Sequence, residues 1–525
     1  MAMPPDSSFR SRLREALQQS AVRRGEQNAE PEAERPAPGI RYEPEEDSRE
    51  RANEVQAAWI AEVLGGAWQH DGRGACLVID RVYPADRPHG NAEIGAYAEA
   101  LERYQQALHA FDASTGADVD STGSLFSERP ESPAAGLPDC RRQFLFFDLE
   151  TTGLSGGAGI CAFLIGYGWF EGHDFRTRQY FLGGYGHEAA MLRLASRPLD
   201  EGRTLGSFNG KTFDVPLIHG RYLFHRVASP FDEVAHIDLL HPARRLWRYR
   251  PKTPAARGRD GHDGFGSYFR SAALRQQYRA ATAASGALRR IDLSDSAASC
   301  ALGVLEEAIL GFNRRDDVPG AEIPSRYFHY ARTGDARTLA PVLEHNRLDL
   351  VSLAAVASVI ARMLHEGADA TRNAHECLAL GRLYERSGAG DRAADCFERA
   401  VAGTGSAPWS GDVIVQREAL RHLAVRYRRE RRWDQAAASW QQLLELLQAS
   451  DHARHDEAEL EALVALAVHH EHRSKDLRAA HALVVRALNS ATSTHERESL
   501  AHRLARLERK LGGCRIGPPG ARPRS

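Results

Sequence analysis

Two acidic residues at the end of an apolar segment are the first candidates for chemistry in this chain. The segment Phe144–Leu154 reads FLFFDLETTGL, and its apolar start predicts a central strand that is covered on both faces. The strand delivers Asp148 and Glu150, which lie two positions apart and therefore point to the same side. A divalent cation such as Mg²⁺ relieves the repulsion between two adjacent carboxylates. A metal site for phosphoryl transfer or nuclease chemistry is one interpretation, and a solvated strand end is the other.

Two later acidic positions could complete such a site. Asp214 follows the turn Asn209–Lys211, and Asp349 lies in the apolar helical segment Leu339–Leu364. His345 precedes Asp349 by four residues, so the two share one helix face. In two-metal sites, ions about 3.5–4 Å apart activate a water and stabilise the leaving oxygen. His345 is a candidate general base, because imidazole exchanges protons near neutral pH. Since the chain has 23 histidines, a surface histidine without a catalytic role is the alternative.

Composition and charge restrict the remaining possibilities. The 525 residues are 42% hydrophobic and 26% charged, which suffices for two to four globular domains. The formal net charge is −2, so binding to nucleic acid must depend on a local basic surface. The seven cysteines form no CxxC pair, which disfavours a zinc site or a disulfide scaffold. We find neither an apolar run of the roughly 20 residues that a membrane span needs nor a signal-peptide core, so we expect a cytoplasmic protein without a membrane contact.

Apolar patterns divide the first part of the chain into a lead, an accessory segment and an α/β domain. Residues 1–53 are polar and rich in Glu, Arg and Pro, so we expect a disordered lead. Residues 54–138 predict a strand, a helix and a linker, and the strand is a candidate addition to the edge of a sheet. In residues 139–368, predicted strands followed by helices indicate an α/β domain.

Two segments of this domain have an unusual composition. Residues 153–159 (GLSGGAG) form a glycine-dense turn, which allows a backbone to approach a ligand or closes a hairpin without one. Residues 244–290 contain twelve Lys or Arg and two Asp, with interleaved Tyr and Phe. Such a stretch is typical of a surface that follows a phosphate backbone and stacks bases, or of a solvated insertion.

Residues 369–511 show a helical pattern that recurs after 43 residues. Asp391-Arg-Ala-Ala aligns with Asp434-Gln-Ala-Ala at this interval. Each unit predicts an apolar first helix and an Ala-rich second helix, as in stacked tetratricopeptide-like repeats. We therefore expect an all-α helical-repeat domain that recruits a protein partner or substrate. Residues 512–525 predict a disordered tail.

Three motifs together resemble those of the DEDD superfamily of exonucleases. They read FDLETTGL, SFNGKTFDVPLI and EHNRLDLVSL, and they begin at Phe147, Ser207 and Glu344. The segments LSGGAGICAFLIGYGWFEG, DLLHPARRLW and DDVPGAEIPSRYF are similar to those of YprB-like ribonuclease-H-like domain proteins. The resemblance covers roughly residues 140–365 and implies a ribonuclease-H-like fold, in which a mixed sheet is flanked by helices. Relative to that family, residues about 250–298 are a basic insertion.

The resemblance also implies roles for individual residues. It assigns metal binding to four acids, Asp148, Glu150, Asp214 and Asp349. It places three residues near the substrate strand, Thr151, Asn209 and Lys211. Better-known members carry a Tyr four residues, or a His five residues, before the final Asp, whereas this chain carries His345 at the first spacing and Glu344 at the second. The identity of the general base therefore stays open.

The leading hypothesis is a metal-dependent nuclease that hydrolyses DNA or RNA in the 3′→5′ direction with two Mg²⁺ or Mn²⁺ ions. The helical repeats would recruit a partner or guide the substrate. The alternative is a catalytically silent scaffold on the same fold that binds nucleic acid or protein. A transferase or an endonuclease on this fold is a third possibility, and the reaction product distinguishes it.

Overall fold

The computed structural model describes the chain in eight segments. They comprise residues 46–116, 143–153, 159–199, 202–232, 234–248, 300–402, 412–449 and 457–513. The chain divides into two compact units between residues 58 and 59, within helix α1 (Glu46–Leu64), and the described elements that follow α1 belong to the second unit. The predicted basic insertion, about residues 250–298, lies outside the described residues, and so does the predicted C-terminal tail apart from residues 512–513.

A mixed sheet forms the centre of the second unit. The described strands, in chain order, are β1 (Ala67–His70), β2 (Ala75–Tyr83), β3 (Pro88–His89), β4 (Ala92–Glu93), β5 (Phe144–Thr151), β6 (Ala162–Glu171), β7 (Asp174–Phe181), β8 (Thr204–Ser207) and β9 (His236–Asp238). Seven of them form one sheet in the order β1-β2-β7-β6-β5-β8-β9, while β3 and β4 pair separately. The pairs β5–β8 and β8–β9 are parallel, and the other pairs of the large sheet are antiparallel. The accessory segment thus adds β1 and β2 to one edge.

Helices cover the sheet and continue into the repeats. The described α-helices after α1 are α2 (Ile94–Gly116), α3 (Glu188–Ser196), α4 (Asp214–Phe224), α5 (Leu240–Trp247), α6 (Leu302–Leu305), α7 (Ile323–Thr333), α8 (Ala340–Glu366), α9 (Ala374–Arg386), α10 (Gly390–Ala402), α11 (Asp412–Arg429), α12 (Trp433–Ala449), α13 (Glu457–His469), α14 (Leu477–Ser490) and α15 (Thr494–Gly513). A π-helical turn, Glu306–Leu310, follows α6. The predicted α/β domain with an all-α region after it is confirmed.

Helix α8 is the element that connects the sheet to the rest of the protein. It packs against α2 and against β5 and β6. By length and composition, the segment Ala336–Ala370 is apolar enough to cross a membrane, so the prediction that no segment would be is wrong. The apolar side chains have another explanation, because 72% of its most apolar window is buried inside the protein. This helix is a core helix whose N-terminal half can present polar residues to the end of β5.

One apolar core runs from the sheet into the first repeats. It includes Phe144 and Phe146 of β5, Leu350 of α8, and Leu378 and Phe397 of the first helix pair. Polar contacts cross the same boundary: the Trp247 indole N–H donates to Glu376 at 3.0 Å, and Arg372 donates to the Ile309 carbonyl at 3.1 Å. The predicted division at residue 368 therefore does not correspond to a break in packing. A second core covers the opposite face of the sheet, and a third joins the later repeats.

The start of the first helix differs from the sequence-based expectation. Helix α1 begins at Glu46, inside the lead that the sequence predicts to be disordered up to residue 53. The segment EDSRERANEVQAAWI carries mainly helix-forming residues and neither Gly nor Pro, so helix propensity outweighs its high charge. Residues 1–45 lie outside the described part of the chain.

Candidate active site

Strand β5 carries the first two candidate ligands. Its apolar residues Phe144–Phe147 are buried, because β6 and β8 flank the strand and helices cover it. Asp148 is partly exposed and Glu150 is 9% exposed. The pairing with β6 shifts between Glu150 and Thr151, where the strand ends. The sequence pattern of a buried strand that ends in two carboxylates is therefore present in the fold.

Asn346 of α8 fixes the Asp148 carboxylate. Its Nδ2 donates to Asp148 Oδ2 at 2.7 Å, and its Oδ1 accepts from Gln179 Nε2 at 2.8 Å. The Asn346 side chain can approach because its neighbour on β6 is Gly166, the cross-strand partner of both Asp148 and Gln179. A Cβ atom at position 166 would lie only 2.2 Å from Asn346 Oδ1. A buried amide and a glycine thus hold one carboxylate in a single orientation.

Asp214 is the first residue of α4 and is positioned by a turn that precedes it. Asn209 begins this turn with a φ of +69°, a left-handed conformation that Asn tolerates. The buried Asp238 carboxylate, at the end of β9, accepts the backbone N–H groups of Asn209 at 2.8 Å and Lys211 at 3.1 Å. It also accepts that of Leu240 at 3.1 Å. Asp238, which the sequence analysis did not single out, therefore ties the turn before Asp214 to the sheet.

Helix α8 brings His345 and Asp349 to the same place. Ligand atoms of Glu150, His345 and Asp349 all lie within 4.8 Å of one another. His345 Nε2 is 3.5 Å from Asp349 Oδ2, as expected for positions four apart on a helix. The side chains of His345 and Asp349 are 17% and 19% exposed, so this cluster is open to solvent on one side.

A buried arginine holds the outer side of the cluster. Arg314 donates to both Glu306 oxygens, from Nε at 2.8 Å and from Nη2 at 2.6 Å, and it also donates to Asp349. Its Nη1 is 3.2 Å from Asp317 Oδ2. Burial alone would lower the pKa of Arg314, but its hydrogen bonds and ion pairs with these carboxylates raise it above its usual range. The guanidinium is therefore a permanent positive charge beside Asp349.

The negative charges of the predicted ligands act on the pKa values of Asp148 and Glu150. Burial raises the pKa of Asp148 well above its usual range, and the negative charges of Asp349, Glu150 and Asp214 raise it further. The pKa of Glu150 is also raised, first by burial and then by Asp349 and Asp214. Burial and the charge of Asp238 raise the pKa of Asp214 to about 7. The charges of the predicted metal ligands thus act on one another, and one guanidinium does not balance them.

This arrangement fits one or two hard divalent cations. Carboxylate oxygens are the ligands that Mg²⁺ and Mn²⁺ prefer, and a cation would offset the repulsion that raises these pKa values. Asp148, Glu150, Asp214 and Asp349 would hold the ions, with His345 beside them.

The three predicted substrate-binding residues are close in sequence to the acids, and the side chains of two of them already have partners. The Thr151 hydroxyl donates to the Gly153 carbonyl at 2.8 Å, so it stabilises the turn after β5. Lys211 Nζ is 3.2 Å from Asp112 of α2, and its side chain is 37% exposed. A substrate role for Thr151, Asn209 and Lys211 stays a prediction.

Comparisons with known proteins agree with this architecture. The model of the ribonuclease H superfamily matches residues 145–252 and 269–361. A tetratricopeptide repeat model matches residues 376–406. Over 438 residues the chain is 25% identical to YprB of Bacillus subtilis (strain 168), an uncharacterized protein, and the match covers 83% of this chain and 86% of that protein. The chain thus resembles YprB over most of its length, and residues 145–361 contain a ribonuclease-H-like domain.

The match to the superfamily model indicates what kind of site the acidic cluster is. The ribonuclease H fold is nuclease-like and generally binds divalent metals, and the acidic cluster lies in the domain that matches the superfamily model. The repeats after it suggest contacts with another protein. The two matched parts of the superfamily domain flank residues 253–268, which lie within the predicted basic insertion.

Proposed function

We propose that this ribonuclease H superfamily protein is a metal-dependent 3′→5′ exonuclease that hydrolyses nucleic-acid phosphodiester bonds by a two-metal mechanism. The observation that carries the proposal is the group of ligand atoms of Glu150, His345 and Asp349, which lie within 4.8 Å of one another. Asp148, which is fixed by Asn346 of the same helix, and Asp214 would complete the site. When bound, two Mg²⁺ or Mn²⁺ ions supply a water of lowered pKa and stabilise the charge on the leaving oxygen.

The protein supplies orientation and charge balance. Asn346 fixes one oxygen of Asp148, which leaves the other oxygen free for a cation. Asp238 holds the turn that leads into Asp214. Lys211 lies in that turn, so its ammonium group can contact the phosphate backbone of a strand that enters the site. Arg314 pairs with Asp349 and thus places a positive charge beside it.

The helical repeats have a separate role in this proposal. They carry no cluster of candidate ligands among the described residues comparable to the one at β5. Because the first helix pair shares a core with the nuclease domain, a partner bound to the repeats would be held at a fixed position relative to the active site. We propose that the repeats recruit a protein partner or the substrate.

A cleavage assay tests the proposal. Single- and double-stranded DNA and RNA, labelled at the 5′ end, are incubated with the protein and Mg²⁺ or Mn²⁺. We expect a ladder that shortens from the 3′ end, and we expect Asp148→Ala to abolish it. Glu102→Gln is the matched control, because Glu102 is an exposed carboxylate on α2 outside the site. Internal fragments would indicate an endonuclease, and no cleavage of any substrate with retained binding would favour the silent scaffold.

A further inference from the structure

His345 has a carboxylate partner on the side away from Glu150 and Asp349. His345 Nδ1 lies 2.8 Å from Asp317 Oδ1. An ionised carboxylate can only accept a hydrogen bond, so this contact fits the tautomer with a proton on Nδ1. Arg314 Nη1 is farther from the same nitrogen, at 3.3 Å, and has a carboxylate acceptor in Asp317 Oδ2. In that tautomer the lone pair of the imidazole is on Nε2.

That lone pair faces other acceptors. Nε2 is 3.5 Å from Asp349 Oδ2, and a Glu150 oxygen completes a group of three ligand atoms within 4.8 Å of one another. Two lone pairs directed at each other are unfavourable unless a proton or a cation lies between them. The three atoms are a nitrogen and an oxygen from α8 and an oxygen from β5.

We propose that His345 Nε2 is a direct ligand of the cation together with Glu150 and Asp349, and that Asp317 is the residue that positions it. This inference rests on the proposed metal-dependent function and gives His345 a role other than general base. A carboxylate that accepts the second N–H of a ligating histidine fixes its tautomer and raises its basicity. Arg314 supports Asp317, because its guanidinium is anchored by Glu306.

An imidazole ligand has a consequence for the choice of metal. Sites built only from oxygen ligands suit Mg²⁺, whereas a nitrogen ligand favours transition ions. We therefore expect the cation at Glu150, His345 and Asp349 to be Mn²⁺ or another divalent transition ion in preference to Mg²⁺. Without the imidazole, the preference for Mn²⁺ over Mg²⁺ should decrease.

Pulsed electron paramagnetic resonance of the full-length protein with one equivalent of Mn²⁺ tests the inference without reference to cleavage. We expect a ¹⁴N coupling from a directly bound imidazole in the wild type and its loss in His345→Gln. In Mn²⁺ titrations, Asp317→Asn should weaken binding about 10–100-fold, the range observed when a residue behind a metal ligand is changed. Asp316→Asn is the matched control, because Asp316 is an exposed neighbour of Asp317. This variant should bind Mn²⁺ as the wild type does.

The possible results separate this inference from the proposed nuclease. If Mn²⁺ binds the wild type without a ¹⁴N coupling, or does not bind at all, His345 is not a ligand. Equal Mn²⁺ affinity in Asp317→Asn and Asp316→Asn would overturn the role of Asp317. If the coupling is present and no nucleic acid is cleaved, the metal site stands and the nuclease proposal fails.

Discussion

The acidic cluster should make the metal-free protein less stable as the pH rises, and Asp214→Asn should remove part of this effect. The pKa of Asp214 is raised from its ordinary value of 3.8 to about 7, first by burial and then by Asp238. The folded state therefore binds this proton more tightly than the unfolded state. The stability that the proton contributes is complete below about pH 4 and is lost as the pH rises towards 7.

The size of the effect follows from the same values. A tenfold change in proton affinity corresponds to about 1.4 kcal/mol, so raising the pKa of Asp214 to about 7 corresponds to a total of about 4 kcal/mol. Of this, about 3 kcal/mol is lost between pH 5 and pH 8. Asn has nearly the same shape and does not ionise. From pH 5 to pH 8, the unfolding free energy of the wild type should therefore fall by about 3 kcal/mol relative to that of Asp214→Asn.

Urea unfolding in EDTA at pH 5 and pH 8 measures this difference. Glu102→Gln is again the control, because it makes the same change of charge at an exposed position and should follow the wild type at both pH values. At pH 8, added Mn²⁺ should stabilise the wild type and stabilise Asp214→Asn much less. If wild type and Asp214→Asn lose stability in parallel between pH 5 and pH 8, the carboxylate is not held protonated by its surroundings, and the electrostatic description of the site is wrong.

Two further substitutions test the supporting contacts. Gly166→Ala places a Cβ atom 2.2 Å from Asn346 Oδ1. We therefore expect a loss of about 1–3 kcal/mol in unfolding free energy and a cleavage rate about 10–100-fold lower. Gly220→Ala is the control, because the added Cβ meets no neighbouring side chain or strand within 4 Å, and it should change neither quantity strongly. Arg314→Ala leaves the Glu306 carboxylate, only 2% exposed, without its bidentate partner, and should cost about 3–5 kcal/mol in urea unfolding. Adding Glu306→Gln to Arg314→Ala should recover part of that loss, and a double variant no more stable than the single one would contradict this explanation.

The parts of the fold that depend on local sequence could be predicted. Strand β5 was recognisable because an apolar run of four residues is followed by Asp148 and Glu150. The placement of His345 and Asp349 on one face of α8 follows from their spacing and the long apolar helical pattern. The helix pairs were recognisable from a recurring Ala-rich motif, because the two helices of each pair pack against each other in the same way.

The residues that support the acids could not be found in the same way. Asn346 contacts Asp148, which is 198 positions away, and its access depends on a glycine in a neighbouring strand. Arg314 and Asp317 lie in a loop with no periodic pattern, and their function depends on a helix that begins more than 20 residues later. The motifs HNRLDL and DDVPG contained Asn346 and Asp317 but not Arg314, and only the folded arrangement shows which of these polar residues face the site.

The energetic cost of this cluster is itself an argument for a function that uses a cation. Burial and mutual repulsion raise the pKa values of Asp148, Glu150 and Asp214 in the metal-free protein. Asn or Gln at these positions would keep the packing without the repulsion, so a scaffold that only binds a partner gains nothing from three such carboxylates. A protein that binds a divalent cation recovers the cost when the ion is present. Stabilisation by Mn²⁺ that disappears in Asp214→Asn would therefore count against the silent scaffold even before a substrate is found.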